Sequence, residues 1–338
     1  MTRVAINGFG RIGRAAFKIL QDTPELDVVA VNDIVPIDNL AYLLKYDTVY
    51  GRYEKRVEVE GSTLLVGGRP CKVYAERDPI ELPWRDLGVE IVFECTGLFV
   101  DAAGLRKHLQ AGAQFAILSA PAKGNEVPTV VYGVNSVDGD ERIISCASCT
   151  TNCITPVVEV MERRLGVEKA ILTTIHAYTA SQQLVDGPSR KLRRGRAGAA
   201  NLVPTTTGAA IATTRVLPAL EERFDGVAVR APVPAGSIAD IVFVTRRPTT
   251  VEEVNAIFRE EAAGEQYREV IAASEDPIVS SDIVGDTHAS VIDLEMTQVV
   301  DGNLVKVMSW YDNEWGFTSQ MVREGQKIAR SLPQKQYA

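Results

Sequence analysis

The chain is poor in the residues from which metal centres and secreted scaffolds are built. It has three histidines, at 108, 176 and 288, and five cysteines, at 71, 95, 146, 149 and 153, among 338 residues. So few candidates do not supply the four well-spaced ligands of a structural zinc site, and no metal is expected. An odd, sparse set of cysteines also argues against a disulfide scaffold and predicts reduced thiols. No apolar run approaches the ~18 residues that would span a bilayer, so no membrane partner is expected. The first residues, MTRVAINGFG, enter a strand without a charged leader and long apolar core, which predicts a cytoplasmic protein. Positive charge is short as well. The net charge is −8, and the basic footprint of a nucleic-acid binder is missing. Repeats and low-complexity tracts are absent too, and the length suits two domains.

What is present begins with a strand-to-helix turn. RVAING (3–8) reads as a strand, FGRIGRAAFKILQDT (9–23) as a helix and LDVVAVND (26–33) as a second strand. Gly8, Gly10 and Gly13 then form G-x-G-x-x-G at the turn, with Asp33 at the end of the next strand. Glycines there let backbone N–H groups approach a pyrophosphate at a helix N-terminus. Asp33 accepts hydrogen bonds from ribose hydroxyls and repels a 2′-phosphate, which favours NAD over NADP. Strands at 89–97, 115–121, 129–135 and 142–148, with a helix at 101–112, extend this into a doubly wound α/β sheet. Thr96, Gly97 and Ser119 stand at strand ends, where such sheets bind ligands.

The second half changes character. Strands at 170–179, 226–233, 239–247, 289–300 and 303–313 suggest an α+β domain on a mixed or antiparallel sheet. Helices are expected at 250–263 and 315–332. The stretch 181–208 has little periodicity and reads as one long functional loop. It carries Arg190, Lys191, Arg193, Arg194 and Arg196, a basic cluster that suits a solvated face, a subunit contact or an anionic substrate group. The expected division is a dinucleotide-binding domain at 1–148 and a catalytic domain at 149–313, with a C-terminal helix at 314–338 packing back on the first.

ASCTTNC (147–153) joins the two halves. Cys149 and Cys153 are four residues apart at a helix start, and a disulfide at that spacing needs distortion. The positive end of the helix lowers a thiol pKa there, which favours Cys149 as a nucleophile and leaves Cys153 to packing. His176, in the strand that follows the helix, is the partner a thiolate needs.

ASCTTNC with HAYT (176–179), GPSRK (187–191), VPTTTGAA (203–210) and WYDNEWG (310–316) resembles the phosphorylating glyceraldehyde-3-phosphate dehydrogenases. The resemblance covers nearly the whole chain. It implies that Cys149 attacks the aldehyde while His176 accepts the proton, and that phosphate releases the acyl group. It implies that Thr179, Arg230 and Arg194 hold the substrate phosphate, and that Ser148, Thr150, Thr207 and Gly208 place the attacking phosphate. Asn313 is the implied contact to the nicotinamide amide, and Arg11, Ile12 and Arg77 complete the implied NAD set. A homotetramer is implied too. Gly187-Pro188 replaces the Ala-Ser of NADP-using members and agrees with NAD. Three departures stand out: Ser181 replaces an acid, RAPVPAGSIAD (230–240) replaces the commoner RVPTPNVSVVD, and Cys146 stands where Asn is usual. The alternatives are the related erythrose-4-phosphate dehydrogenase, resembled in VVYGVN (130–135) and NCITPV (152–157), and a non-catalytic NAD-binding scaffold. Thr179 and Thr205 to Gly208 favour the three-carbon substrate.

Overall fold

Central strands rich in Val, Ile and Ala need cover on both faces, and the first sheet shows this directly. The computed structural model describes residues 1–137 and 141–332. The chain divides into two compact units, Met1–Val130 with Val137–Ala147 and Met321–Ala338, and Val131–Ser136 with Ser148–Gln320.

The first unit is built on an eight-stranded sheet. From one edge, its order is Ile143–Ser145, Phe115–Leu118, Ile91–Glu94, Thr2–Asn7, Leu26–Asn32, Arg69–Tyr74, Thr63–Val66 and Val57–Glu60. The first six run parallel and the last two are antiparallel additions; the sequence reading assigned neither these two nor Arg69–Tyr74. Ile91–Glu94 and Phe115–Leu118 are buried throughout, as strands covered on both faces are. The helix Arg11–Leu20 lays Ala15, Ala16, Phe17 and Leu20 inward, and Phe17 meets Phe9 edge-on at 5.5 Å between centroids. The expected strand at 129–135 is absent. Val131 N donates to Asn135 Oδ1 at 2.8 Å and Gly133 has φ +81°, so the apolar run closes into a turn after a single bridge from Thr129 to Ser145. The C-terminal helix covers Trp315–Ser331. Within the first unit, Arg330 pairs with Glu25 at 2.9 Å, and a Cβ on Gly325 would stand 2.7 Å from Phe93 Cζ. Residues 333–338 of the expected helix lie outside the described residues.

The second unit is a seven-stranded mixed sheet in the order Val203–Thr206, Phe224–Ala231, Val167–Ala177, Ser237–Thr245, Leu304–Tyr311, Ser290–Val300 and Ile271–Ser274. Two pairings are parallel and the rest antiparallel. The stretch 181–208 is not one loop. It contains 3₁₀ turns at Leu192–Gly195 and Gly198–Ala200 and the edge strand Val203–Thr206. Against the sheet lies the helix Cys149–Leu165. Its Cys153, Ile154, Val157 and Met161 pack with Leu172, Ile241, Phe243 and Val305 in one core. Each such fully buried aliphatic contributes about 1.5–3 kcal/mol. Gly166, at φ +70°, ends the helix.

Candidate active site

Ser148 begins the helix that presents Cys149. Its Oγ accepts from Thr151 N at 3.1 Å, satisfying one of the free donors of the first turn. That hydroxyl also lies 2.8 Å from Thr151 Oγ1, and the Thr150 hydroxyl turns inward to Tyr311 OH at 2.9 Å. Both side chains implied in phosphate placement therefore also build the helix start. The nucleophile candidate is partly exposed, and its Sγ lies 3.3 Å from His176 Nε2. His176 reaches the sulfur from the strand Val167–Ala177, whose neighbour places Arg230 in register with it. Tyr311 steadies the imidazole with an edge-on contact at 5.9 Å.

Two groups compete for His176 Nδ1. Ala177 O lies 2.7 Å away and Arg230 Nη1 also 2.7 Å, while Arg230 Nη1 donates to Ala177 O at 3.0 Å. Donation from Nδ1 to the carbonyl leaves the Nε2 lone pair facing the sulfur, which is the arrangement of a base. Acceptance from Arg230 puts the ring proton on Nε2 instead. A guanidinium drawn toward an anion leaves the carbonyl as the sole partner.

Charge in this site is disfavoured. Burial pushes the Cys149 thiol up, and the opposing pull of Arg230 and of the Thr150 N–H and hydroxyl does not overcome it. The expected depression by the helix end is thus outweighed by desolvation. Burial, then Arg230 and Arg194, hold His176 down to about 3, against a smaller raising effect of the Ala177 backbone. Arg230 meets the imidazole, the charge of Arg194 is felt by both His176 and Arg230, and burial lowers Arg230. Arg194 Nε donates to Thr205 Oγ1 at 3.0 Å, whereas Lys191 Nζ donates to Thr206 Oγ1 and Arg196 pairs with Asp186. Thr179 Oγ1 lies 2.9 Å from Ser181 Oγ, so the serine that replaces an acid is a hydroxyl partner. Thr207 Oγ1 accepts from Ala209 N, and Gly208 caps the helix Ala209–Val216 with open space where a Cβ would project. Asn313 Oδ1 accepts from Ser237 Oγ, which itself accepts from Ala177 N at 3.0 Å. The amide of Asn313 and the strand carrying His176 are therefore joined through one buried hydroxyl.

The first unit holds a cavity of about 290 Å³ at the ends of its parallel strands. Gly8, Gly10, Asp33, Arg77 and Thr96 line it, as do Asn7, Asn32, Ile34, Glu76, Cys95, Leu98 and Phe99, which the sequence reading missed. Asn7 and Asn32 had a signal, being amides that end apolar strands. Of the other expected contacts, Arg11 pairs with Asp47, Ser119 hydrogen-bonds the Cys95 thiol, and Ile12, Gly13 and Gly97 do not line the cavity. Gly8 has φ +92°, and a Cβ on it would stand 2.6 Å from Thr96 N. A Cβ on Gly13 would stand 2.0 Å from Gly8 O, whereas at Gly10 nothing lies within 4 Å. Asp33 Oδ2 accepts from Phe9 N at 2.7 Å, which ties the acid to the glycine turn.

Two family models match, described as the glyceraldehyde 3-phosphate dehydrogenase NAD binding domain, over residues 2–102, and the C-terminal domain of the same enzyme, over 148–313. The chain belongs to the glyceraldehyde-3-phosphate dehydrogenase family. It is similar to the glyceraldehyde-3-phosphate dehydrogenase of Clostridium acetobutylicum, 48% identical over 96% of this chain and 97% of that protein. It is similar also to those of Clostridium pasteurianum, 46% identical over 98% and 99%, and Geobacillus stearothermophilus, 47% over 95% and 96%. The NAD that this glyceraldehyde-3-phosphate dehydrogenase fold carries suits the residues present. Gly10 leaves open space beside the helix N-terminus, and each Asp33 oxygen, with one backbone donor apiece, retains a lone pair for a sugar hydroxyl.

None of the five cysteines is in a disulfide. Cys146-Ala147-Ser148-Cys149 has the C-x-x-C spacing of a redox pair, which the exclusion of a disulfide above did not weigh. Cys146 is buried, and burial followed by Glu324 and Cys95 pushes its thiol well above the ordinary value. Cys153 is fully buried, donates to Ser309 Oγ at 3.4 Å and is pushed up to about 12. Cys146→Ala is expected to keep kcat within about twofold and to cost about 1 kcal/mol of stability, read by steady-state rates and thermal unfolding. A loss as large as that of Cys149→Ala would restore a catalytic or redox role.

Proposed function

We propose that the chain oxidises glyceraldehyde 3-phosphate to 1,3-bisphosphoglycerate with NAD and inorganic phosphate, in glycolysis or gluconeogenesis in the cytoplasm. The observation that carries this reading is the 3.3 Å approach of Cys149 Sγ to His176 Nε2, with Arg230 at the other ring nitrogen. Arg230, Arg194 and Thr179 bind the substrate phosphate, with Ser181 as the hydroxyl partner of Thr179. Drawing Arg230 onto that phosphate frees His176 Nδ1 to donate to Ala177 O and turns the Nε2 lone pair toward the sulfur. His176 then takes the thiol proton as Sγ attacks the aldehyde carbon and passes it to the carbonyl oxygen, giving a thiohemiacetal and leaving the imidazole neutral. NAD, when bound, supplies the hydride acceptor. As the thiohemiacetal collapses, His176 holds the hydroxyl proton and a thioester remains on Cys149. Phosphate placed by Ser148, Thr150, Thr207 and Gly208 attacks the thioester carbonyl, the thiolate leaves and the acyl phosphate departs.

A homotetramer accompanies this reading. Leu172 faces the core, so its neighbour Ile171 faces away, and it and Val227 are 61% and 53% exposed on the sheet. Leu192 and Leu202 from the 181–208 stretch are exposed as well, which suits a covered subunit face. No helix among the described residues is long and apolar enough to cross a membrane.

Initial rates with both aldehyde phosphates, both nicotinamide cofactors and varied phosphate test the proposal. The expected result is a higher kcat/KM for glyceraldehyde 3-phosphate than for erythrose 4-phosphate, preference for NAD, and strict dependence on phosphate. A higher kcat/KM for the four-carbon sugar would replace the substrate assignment.

A further inference from the structure

Beneath the cofactor cavity the first unit carries a hydrogen-bonded chain that the reaction above does not use. Trp84, Glu94 and His108 are all fully buried. Trp84 Nε1 lies 3.1 Å from His108 Nδ1. An indole N–H only donates, so Nδ1 presents its lone pair and the imidazole proton sits on Nε2. Nε2 then donates to Glu94 Oε2 at 2.9 Å, and Asn7 Nδ2 donates to the same oxygen at 2.6 Å. Glu94 Oε1 accepts from Thr96 N at 2.8 Å and from the Thr96 hydroxyl. Four donors saturate one carboxylate, which is the condition under which a buried carboxylate is tolerated.

The chain continues to the cavity wall. Asn7 Oδ1 accepts from Asn32 Nδ2 at 2.7 Å, and Asn32 grips the Glu76 backbone in both directions, at 2.8 and 2.9 Å. Asn7, Asn32 and Glu94 are the last residues of three adjacent parallel strands, and Asn7, Asn32, Glu76 and Thr96 line the cavity. A network serving the core alone has no reason to end at these strand tips and on these lining residues.

We propose that His108 and Trp84 are positioning residues for the dinucleotide, acting through Glu94 to fix the strand tips and the backbone beside Arg77 that form its seat. The donor–acceptor order, indole to imidazole to carboxylate, sets the orientation of every group downstream. The inference rests on reading the cavity as the NAD site.

The test compares His108→Leu, which removes both hydrogen bonds, with His108→Gln, whose carbonyl accepts and whose amide donates in the same order. NAD affinity is measured by calorimetry on the cofactor-stripped full chain. Iodoacetamide alkylation of Cys149 without NAD and kcat at saturating NAD are measured alongside. The Leu variant is expected to bind NAD about 10- to 100-fold more weakly, with kcat and alkylation within about twofold of the parent. The Gln variant is expected to recover to within about threefold. In ¹⁵N-tryptophan-labelled protein the Trp84 indole N–H resonance is expected to shift in the Leu variant and return in the Gln variant. Unchanged affinity in the Leu variant overturns the proposal, as does a Gln variant as weak as Leu. Parallel loss of affinity, alkylation and thermal stability also overturns it, because that marks a merely structural role. Should the Leu variant not fold, Trp84→Phe removes the indole donor together with the volume of its five-membered ring, and an unchanged NAD affinity there counts against the proposal equally. Failure of the parent chain to bind NAD would remove the cavity assignment instead.

Discussion

Cys149→Ser is expected to lower kcat by roughly 10⁴-fold or more while leaving NAD affinity and thermal stability near those of the parent. The reason is chemical. A hydroxyl at the end of the helix Cys149–Leu165 is far harder to deprotonate than a thiol, and an oxygen ester is a poorer acyl donor than a thioester. The side chain is partly exposed, so little packing is lost on replacement. Burst experiments distinguish the steps. The parent accumulates one acyl group per chain when phosphate is withheld, and the serine variant none. A variant retaining more than about a tenth of the parental rate would remove Cys149 from the bond-forming role.

His176→Asn is expected to cost roughly 10² to 10⁴ in kcat, the range for a lost general base. The same variant carries a stability readout with a definite sign. His176 is held to about 3 in the fold, below the ordinary 6.5. Between those values the unfolded chain binds a proton that the folded chain refuses, so stability falls as pH drops through the window. At its full extent the effect is on the order of a few kcal/mol. The asparagine side chain of the variant takes up no such proton, so its denaturation midpoints are expected to fall less between pH 6.5 and pH 4. An equal acid sensitivity in parent and variant would mean that the imidazole is not held neutral.

Much of this was legible before any coordinates because it is local. The glycine turn and Asp33 announce themselves through a strand, a helix and a second strand in direct succession, and Cys149 through its place between an apolar run and a helix. The rest depends on partners far along the chain. Arg230 meets His176 because two parallel strands set them in register 54 residues apart, which no periodicity encodes. The strands between Val57 and Tyr74 carry charges on an exposed edge and a proline, so their apolar pattern is diluted. Val131–Asn135 misled in the opposite sense, since its apolar residues are spent on a turn closed by the Asn135 side chain. The thiol expectation failed because a helix end is visible in sequence and desolvation is not.

The three glycines of the cofactor turn differ in a way that bears on how such sequences diverge. Gly8 and Gly13 are excluded from change by their own chain, since any side chain there meets backbone. A descendant that had lost all use for a dinucleotide would still keep them in order to fold. Gly10 faces open space and is held only by what binds there, so it is the position free to drift once binding ceases. In an inherited G-x-G-x-x-G, the middle glycine records a living function and the outer two record ancestry.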